Sequence, residues 1–176
     1  MFITHGPIDP SSPLFVGRQM ELERMEAWLT HLTCVGSVLG ARQTGKTSLL
    51  LRLRHVCQNR YALTYIDLEA IQGAGLEECL SYIAEEMLAE LNERITEAIC
   101  PLPTSRRGFL AFLQELSRKT SVIRIGVILD EVGALQRETA VKLSKIIRAV
   151  FTSRLVRQEY SRYVFILAGA TDMLRL

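Results

Sequence analysis

The sequence predicts an α/β fold in three layers, with helices on both sides of a mostly parallel sheet. Two observations support this prediction. Short apolar segments typical of β-strands alternate along the chain with longer segments of helical periodicity. The stretch GARQTGKTS, residues 40–48, also lies between one such strand and one such helix. Strands that alternate with helices are joined by right-handed crossovers, which make the strands parallel and place helices on both faces.

The first half of the chain contains an extended arm, three predicted helices and two predicted strands. The arm covers 1–13 and is rich in proline, and the first helix covers about 18–31. The apolar run 33–39 predicts a buried strand, the residues after the glycine loop predict a helix, and 61–69 (YALTYIDLE) predicts a second strand. A long helix with an acidic outer face is predicted over about 76–99 from the spacing of Leu76, Leu80, Ile83, Met87, Leu91 and Ile95.

The second half continues the alternation. Two prolines in 100–104 end the long helix, since proline cannot continue one. Residues 121–131 (SVIRIGVILDE) predict a strand apolar enough to lie at the centre of a parallel sheet, and 163–170 (YVFILAGA) predict a fourth strand. Before the third strand, a helix is indicated by Phe109, Phe112, Leu113 and Leu116. Between the third and fourth strands, a basic helix over about 135–156 is indicated by the inward positions Leu143, Ile147, Val150 and Phe151. We expect one domain over 14–176, ending before any lid subdomain.

Composition excludes several classes of protein. The chain has 176 residues, 48% apolar and 23% charged, which suits one soluble domain with its own core. A net charge of +2 does not by itself favour nucleic acid or an anionic membrane as a partner. Four cysteines without a CxxC pair do not indicate zinc. Since neither a signal peptide nor a membrane-spanning apolar run is evident, we expect a cytoplasmic protein with no membrane partner.

The glycine-containing loop matches the pattern G-x-x-x-x-G-K-[ST] at every fixed position. Glycines let backbone amides turn toward phosphate oxygens, and the following helix adds the partial positive charge of its N-terminus. Lys46 is predicted to reach the β- and γ-phosphates, and the Thr47 hydroxyl to ligate Mg²⁺. The variable positions Arg42 and Gln43 need only contribute backbone. The predicted nucleotide-binding loop is Gly40, Ala41, Arg42, Gln43, Thr44, Gly45, Lys46, Thr47 and Ser48.

Two carboxylates follow the third predicted strand in the segment GVILDE. The C-terminal ends of parallel strands are where open α/β sheets bind ligands. Asp130 is therefore predicted to hold Mg²⁺, and Glu131 to orient and deprotonate an attacking water. If the fourth strand is inserted between the first and third, Thr171 faces the nucleotide as a sensor of the γ-phosphate. The alternative for Thr171 is an ordinary helix cap.

These segments together resemble a family. FVGRQMELERMEAWL before the loop, VILDE, and a fourth strand followed by threonine are similar to the AAA+ and STAND branches of the P-loop ATPases, especially the origin-recognition-like ATPases and bacterial AAA-like domains. The resemblance covers about 11–174. It implies the P-loop NTPase fold, ATP and Mg²⁺ as cofactors, catalytic roles for Lys46, Glu131 and Thr171, and an adenine site near Phe15, Val16 and Gly17.

The resemblance also indicates what this chain lacks. In the family the lid, the second sensor and usually the arginine finger come after the position at which this chain ends, although Arg175 is a candidate finger within it. An arginine finger accelerates phosphoryl transfer by roughly 10³ to 10⁵. We therefore expect the monomeric chain to turn over more slowly than about 1 s⁻¹, as a steady-state assay would measure.

Charge is distributed unevenly between two predicted helices. Acidic residues dominate the first of them (Glu77, Glu78, Glu85, Glu86, Glu90, Glu93, Glu97), and basic residues dominate the later one and its exit (Arg137, Lys142, Lys145, Arg148, Arg154, Arg157, Arg162). Both can be solvated faces, or they can support head-to-tail self-assembly. Nucleic-acid binding along the basic stripe is less favoured, because no aromatic residues are interleaved for base stacking.

Three functions therefore remain open. The first is an ATP-dependent switch that binds and hydrolyses Mg·ATP. The second is a DNA-associated AAA+ ATPase, such as a replication or transposition regulator. The third is a nucleotide-binding scaffold that does not hydrolyse. A phosphotransferase is disfavoured, because the carboxylate pair Asp130 and Glu131 is what a hydrolase requires.

Overall fold

The four strands form a single sheet in which every neighbouring pair is parallel. The computed structural model describes residues 6–12, 15–31, 35–97 and 101–170. Its strands are β1 (Val35–Leu39), β2 (Ala62–Asp67), β3 (Ile125–Asp130) and β4 (Tyr163–Gly169), arranged in the order β1-β4-β3-β2. The last strand in the chain thus lies between the first and the third. This is the insertion on which the predicted position of Thr171 depends.

Helices cover both faces of this sheet. They are α1 (Gln19–Thr30), α2 (Lys46–Cys57), α3 (Leu76–Leu91), α4 (Arg106–Lys119) and α5 (Arg137–Ser153). Short 3₁₀ segments follow β2, α3 and β3 and precede β4 (Leu68–Ile71, Asn92–Arg94, Val132–Ala134, Gln158–Arg162). Helices α1 and α2 pack on one face, and α3, α4 and α5 on the other. The predicted three-layer α/β/α fold is confirmed, and it is consistent with a P-loop NTPase.

Strand β3 shows how one sequence serves both layers. Successive side chains of a strand point to opposite faces. Val127 and Leu129 therefore join the core beneath α3, α4 and α5, whereas Ile128 joins the core beneath α1 and α2. All six residues of β3 are buried, because β2 and β4 flank the strand and helices cover both faces. The predicted central strand is confirmed, although it begins at Ile125 rather than at residue 121.

Two glycines let the α1/α2 layer approach the sheet closely. A Cβ on Gly36 of β1 would lie 2.3 Å from the Trp28 ring of α1. A Cβ on Gly126 of β3 would lie 3.3 Å from Leu29 Cδ2 of α1 and 2.2 Å from Leu63 Cδ2 of the paired strand β2. Both positions are buried. A larger residue at either position would force the neighbouring side chain to move.

The structure corrects three predictions about these elements. Helix α3 ends at Leu91 rather than near residue 99, because the chain turns there and Ile95 pairs with Thr120 in an antiparallel bridge. Ile95 still packs against the core, which is why the apolar spacing continued past the helix. Strand β1 is only partly buried, since β4 is its one neighbour in the described sheet. Phe151 is 37% exposed rather than inward, and the Arg154 guanidinium lies 3.9 Å from its ring centroid.

Two of the four cysteines lie within the described residues, and both are buried free thiols. Burial raises the pKa of Cys57 above its ordinary value and that of Cys79 to about 12. These thiols are therefore protonated at neutral pH and unreactive. No helix in the described ranges has the length and apolar character needed to cross a membrane.

Candidate functional site

The loop between β1 and α2 reverses the chain within six residues, 40–45. Gly45 has φ of 75°, and Gln43 adopts φ of 60°, which is uncommon for a residue with a side chain. A Cβ on Gly40 would lie 3.0 Å from Thr44 Oγ1, so the loop closes tightly on itself. The left-handed backbone at Gly45 therefore favours glycine there, and the close approach of the Thr44 side chain leaves little room for a Cβ at position 40.

Helix α2 begins directly after this loop, and no side chain caps its N-terminus. Its N-cap residue is Gly45, and its first turn contains no acidic residue. The first amides of any helix have no acceptor within the helix, and the helix dipole gives that end a partial positive charge. The loop therefore leads into a helix end that is suited to an anion.

Lys46 is the first residue of α2 and is only 6% exposed. Its Nζ donates hydrogen bonds to the backbone oxygens of Gly40 at 3.2 Å and Ala41 at 3.0 Å. Within the described residues no carboxylate forms an ion pair with it. The ammonium group is therefore held against the loop by neutral carbonyls, which a charged phosphate oxygen could replace.

Thr47 and Asp130 come from separate motifs and meet beside the loop. The Thr47 hydroxyl donates to Asp130 Oδ2 at 2.8 Å. Asp130 is 1% exposed, and its Oδ1 accepts a hydrogen bond from the backbone N–H of Glu131 at 2.9 Å. The sheet places this carboxylate at the C-terminal end of β3, as the sequence predicted.

Tyr65 on β2 is a third partner of this carboxylate. Its hydroxyl donates to Asp130 Oδ2 at 2.9 Å. Burial, and then the adjacent charge of Asp130, raise the pKa of the Tyr65 hydroxyl well above its ordinary value. The phenol is therefore a stable hydrogen-bond donor at any physiological pH.

The residues present fit a divalent cation. Asp130 is a buried carboxylate that has no ion pair with lysine or arginine among the described residues. Carboxylate and hydroxyl oxygens are the ligands that Mg²⁺ prefers, and Mg²⁺ commonly takes only one or two ligands from protein. In the same ranges, no group of three or more His, Cys, Asp or Glu side chains forms another candidate metal site.

Glu131 follows Asp130 in a left-handed backbone conformation, with φ of 49° and ψ of 44°. This conformation is strained for a residue with a Cβ, and such strain is concentrated at functional sites. It ends β3 and turns the chain into the 3₁₀ segment Val132–Ala134, leaving Glu131 half-buried. Its proposed contact with water remains a prediction.

Thr171 and Arg175 lie outside the described residues. Strand β4 ends at Gly169, whose backbone oxygen accepts a hydrogen bond from Gly40 N at 3.4 Å. The end of β4 is therefore adjacent to the start of the glycine loop, 40–48. The predicted sensor position stays a prediction.

The segment before α1 contacts the loop and helix α2. The Phe15 ring packs against the α1/α2 core, and the Arg52 guanidinium lies 5.7 Å from its centroid. Val16 is 78% exposed, and Gly17 has φ of 85°. Nearer the N-terminus, Ile8 N donates to Ser48 Oγ at 3.0 Å. Of the predicted adenine-contacting residues, Phe15 thus lies against α2, and the contact of all three with a base remains a prediction.

Arg18 is a loop contact that the sequence analysis did not single out. Its Nη1 donates to the backbone oxygens of Thr44 at 3.1 Å and Gly45 at 3.3 Å, and its Nε donates to Glu21.

Tyr65 is a second residue of the site that the sequence did not indicate. The alternation of β2 puts Tyr65 and Asp67 on one face, and Asp67 is in register with Asp130. The sequence alone could not have indicated this contact, because it depends on β2 lying next to β3 in the sheet.

Comparison with known proteins adds little to this geometry. Neither the models of protein families nor the sequences of curated proteins give a match to the chain. Among solved structures, a crystal structure of a DNA replication initiation factor is similar, with 18% identity and a TM-score of 0.47. The similarity covers 93% of this chain and 41% of that one, so the chain spans about two fifths of its length. The function must therefore be inferred from the side chains around the loop.

Proposed function

We propose that this chain is the nucleotide-binding core of an ATPase of the AAA+ or STAND type, which binds Mg·ATP and acts as a switch through its hydrolysis. The contact between Thr47 and Asp130 at 2.8 Å supports the proposal most directly. These residues belong to two motifs that are 83 positions apart in the sequence. Their meeting beside a glycine loop and a helix N-terminus is what Mg²⁺-dependent phosphate binding requires.

Each element of the site has a role in this proposal. The amides of loop 40–48 and the N-terminus of α2 bind phosphate oxygens, and Lys46 exchanges the carbonyls of Gly40 and Ala41 for them. Thr47 and Asp130 would hold Mg²⁺, which neutralises charge that develops on the phosphates. Glu131 orients and deprotonates the attacking water, and Thr171 contacts the γ-phosphate. Phe15, Val16 and Gly17 lie against the base. The choice of adenine rests on the family resemblance.

Binding is tested with a fluorescent ATP analogue titrated in the presence of Mg²⁺. Lys46→Ala removes a charged hydrogen-bond donor, for which a loss of about 3 kcal/mol is expected. This corresponds to an affinity about 100-fold weaker. Lys145→Ala, an exposed lysine on α5, is the matched control and should bind as the parent does. A parent chain that does not bind Mg·ATP would contradict the proposal.

Hydrolysis is tested with Glu131→Gln, which keeps the shape of the side chain and removes the base. We expect ATP binding within about twofold of the parent and loss of phosphate release, because general-base catalysis contributes roughly 10² to 10⁴ in rate. Glu138→Gln, exposed on α5, serves as control. Equal hydrolysis by Glu131→Gln and the parent would show that the assignment is wrong. A parent that binds but never hydrolyses would favour the scaffold alternative.

A groove between α4 and α5 supports a second candidate activity, the binding of an anionic macromolecule. The groove has a volume of about 700 Å³. Its lining is basic and polar in part (Arg106, Arg107, Gln114, Ser153, Arg157) and apolar or aromatic in part (Leu110, Ala111, Ala149, Tyr160). Within the described part of the chain, Arg106 and Arg107 form no ion pair with an acidic residue. Arginine forks suit both carboxylates and phosphates.

Two partners fit this charge. One is the acidic outer face of α3 on a second copy, where Glu77, Glu78 and Glu85 are exposed. The other is the backbone of DNA, as the DNA-associated alternative requires. Sedimentation measures the first and duplex binding measures the second, each as a function of salt. Arg106→Gln with Arg107→Gln should weaken whichever association occurs. A chain that is monomeric and binds no duplex even at low salt would exclude both.

A further inference from the structure

We propose that Tyr65 is a positioning residue for the metal site, in that its hydroxyl fixes the orientation of the Asp130 carboxylate toward Thr47. The inference deepens the proposed function and rests on it. It starts from a contact that the phosphate-loop and carboxylate motifs do not contain, the hydrogen bond of 2.9 Å from the Tyr65 hydroxyl to Asp130 Oδ2.

Three donors hold this carboxylate, and they differ in origin. The Thr47 hydroxyl comes from the loop side, at 2.8 Å from Oδ2, and the Glu131 N–H comes from the next residue, at 2.9 Å from Oδ1. Tyr65 approaches from the neighbouring strand and shares Oδ2 with Thr47. With bonds from Glu131 and Thr47 alone, the Asp130 carboxylate could rotate more freely about its side-chain torsions. The additional bond from the Tyr65 hydroxyl to Oδ2 restricts this rotation.

The sheet register explains why the residue is a tyrosine. Tyr65 is paired with Ile128, and Asp67 is paired with Asp130. Tyr65 therefore lies on the same face as Asp130 but two residues farther from the C-terminal ends of the strands. A serine or threonine hydroxyl at position 65 would be too short to cover that distance, whereas a phenol is long and rigid. The Tyr65 ring packs against the α1/α2 core, which fixes the direction of its hydroxyl. Phenylalanine would keep this packing and remove only the donor.

A merely structural role is the competing explanation, since any buried carboxylate needs hydrogen-bond partners. The two roles predict different measurements. Loss of a structural bond lowers stability and leaves metal dependence unchanged. Loss of a positioning bond weakens the metal site specifically, because partners of metal-binding side chains typically contribute about 10- to 100-fold to metal affinity.

The experiment measures binding of a fluorescent ATP analogue to the parent and to Tyr65→Phe, first in EDTA and then across an Mg²⁺ titration. We expect affinity in EDTA within about twofold of the parent, and a half-saturating Mg²⁺ concentration raised roughly 10-fold. Tyr61→Phe is the matched control. Its hydroxyl lies 3.3 Å from Thr30 Oγ1, and its ring packs against the same core. It should show the Mg²⁺ dependence of the parent.

A second variant keeps the test decisive. In a chain carrying Asp130→Asn, the further change Tyr65→Phe should alter the Mg²⁺ dependence less than twofold, because residues that act through one another are not additive. Full additivity would overturn the proposal. So would an unchanged Mg²⁺ dependence in Tyr65→Phe, or an equal loss of affinity with and without Mg²⁺. If the parent itself shows no Mg²⁺-dependent binding, the proposed function fails together with this inference; otherwise only the inference fails.

Discussion

The two faces of the sheet differ in what they bury. The face covered by α3, α4 and α5 carries the larger apolar core, including fully buried Phe109, Leu113 and Leu116. The face covered by α1 and α2 carries a smaller core and, at the C-terminal ends of the strands, the polar group of Thr47, Tyr65 and Asp130. This difference suggests that the two faces have separate roles: one carries most of the apolar core, and the other carries the side chains of the proposed nucleotide site.

The strongest test of this division is the removal of a large side chain from the face opposite the site. Phe109→Ala deletes a fully buried ring that lies 6.0 Å from the Phe112 ring, and should lower the free energy of unfolding by about 3–5 kcal/mol. Urea denaturation measures this loss. Phe151→Ala removes a ring that is 37% exposed and stacked on Arg154, and should cost less than about 1 kcal/mol. Similar losses for both would show that the core is not organised as described.

Ligand-induced stabilisation tests the other side of the comparison. Mg·ATP at 100 times its Kd should raise the free energy of unfolding by about 2.7 kcal/mol in the parent. We expect the same increment, at the same multiple of Kd, in Phe109→Ala, because that ring belongs to the core of the opposite face. Lys46→Ala, with its expected affinity about 100-fold weaker, should gain only about 0.4 kcal/mol at the same ATP concentration. Thermal or urea denaturation with and without nucleotide measures the difference.

A smaller effect is expected where the α1/α2 layer approaches the sheet. Gly126→Ala would place a Cβ 2.2 Å from Leu63 Cδ2 and 3.3 Å from Leu29 Cδ2, both on buried side chains. Overpacking of this kind should lower the free energy of unfolding by about 1–3 kcal/mol. Adding Leu63→Val should recover part of that loss, since it shortens the side chain that the new methyl group meets. If the double variant loses more free energy of unfolding than the two single variants lose together, this explanation is wrong.

The smallest predicted effect concerns the capping of α4. Ser105 accepts a hydrogen bond from Gly108 N at 3.1 Å, which satisfies one free amide of the first turn. Ser105→Ala should therefore lower the free energy of unfolding by about 1 kcal/mol, without changing the affinity for Mg·ATP. Ser144→Ala, at an exposed position inside α5, is the control and should change stability by less than about 0.5 kcal/mol.

The sequence was most informative where one local rule determines the structure. The glycine loop between β1 and α2, the buried end of β3 at Asp130 and the apolar face of α4 each follow from short-range patterns, and the structure has the corresponding elements. The end of α3 could not be predicted in this way, because the bridge between Ile95 and Thr120 depends on a residue far along the chain. The role of Tyr65 depends on strand order and register, and those are properties of the assembled sheet.

The position of β4 also has a consequence for the order of folding. Within the described sheet β1 pairs only with β4, and Val35 of β1 lies opposite Phe165, roughly 130 residues farther along the chain. During synthesis, the strand that leads into the phosphate loop therefore has no partner until nearly all of the described chain has been made. Pairings this distant in sequence slow folding, since a long loop must close before the contacts form. Nascent chains that end before β4 should accordingly lack the formed candidate site, even though the complete GARQTGKTS motif has already been synthesised.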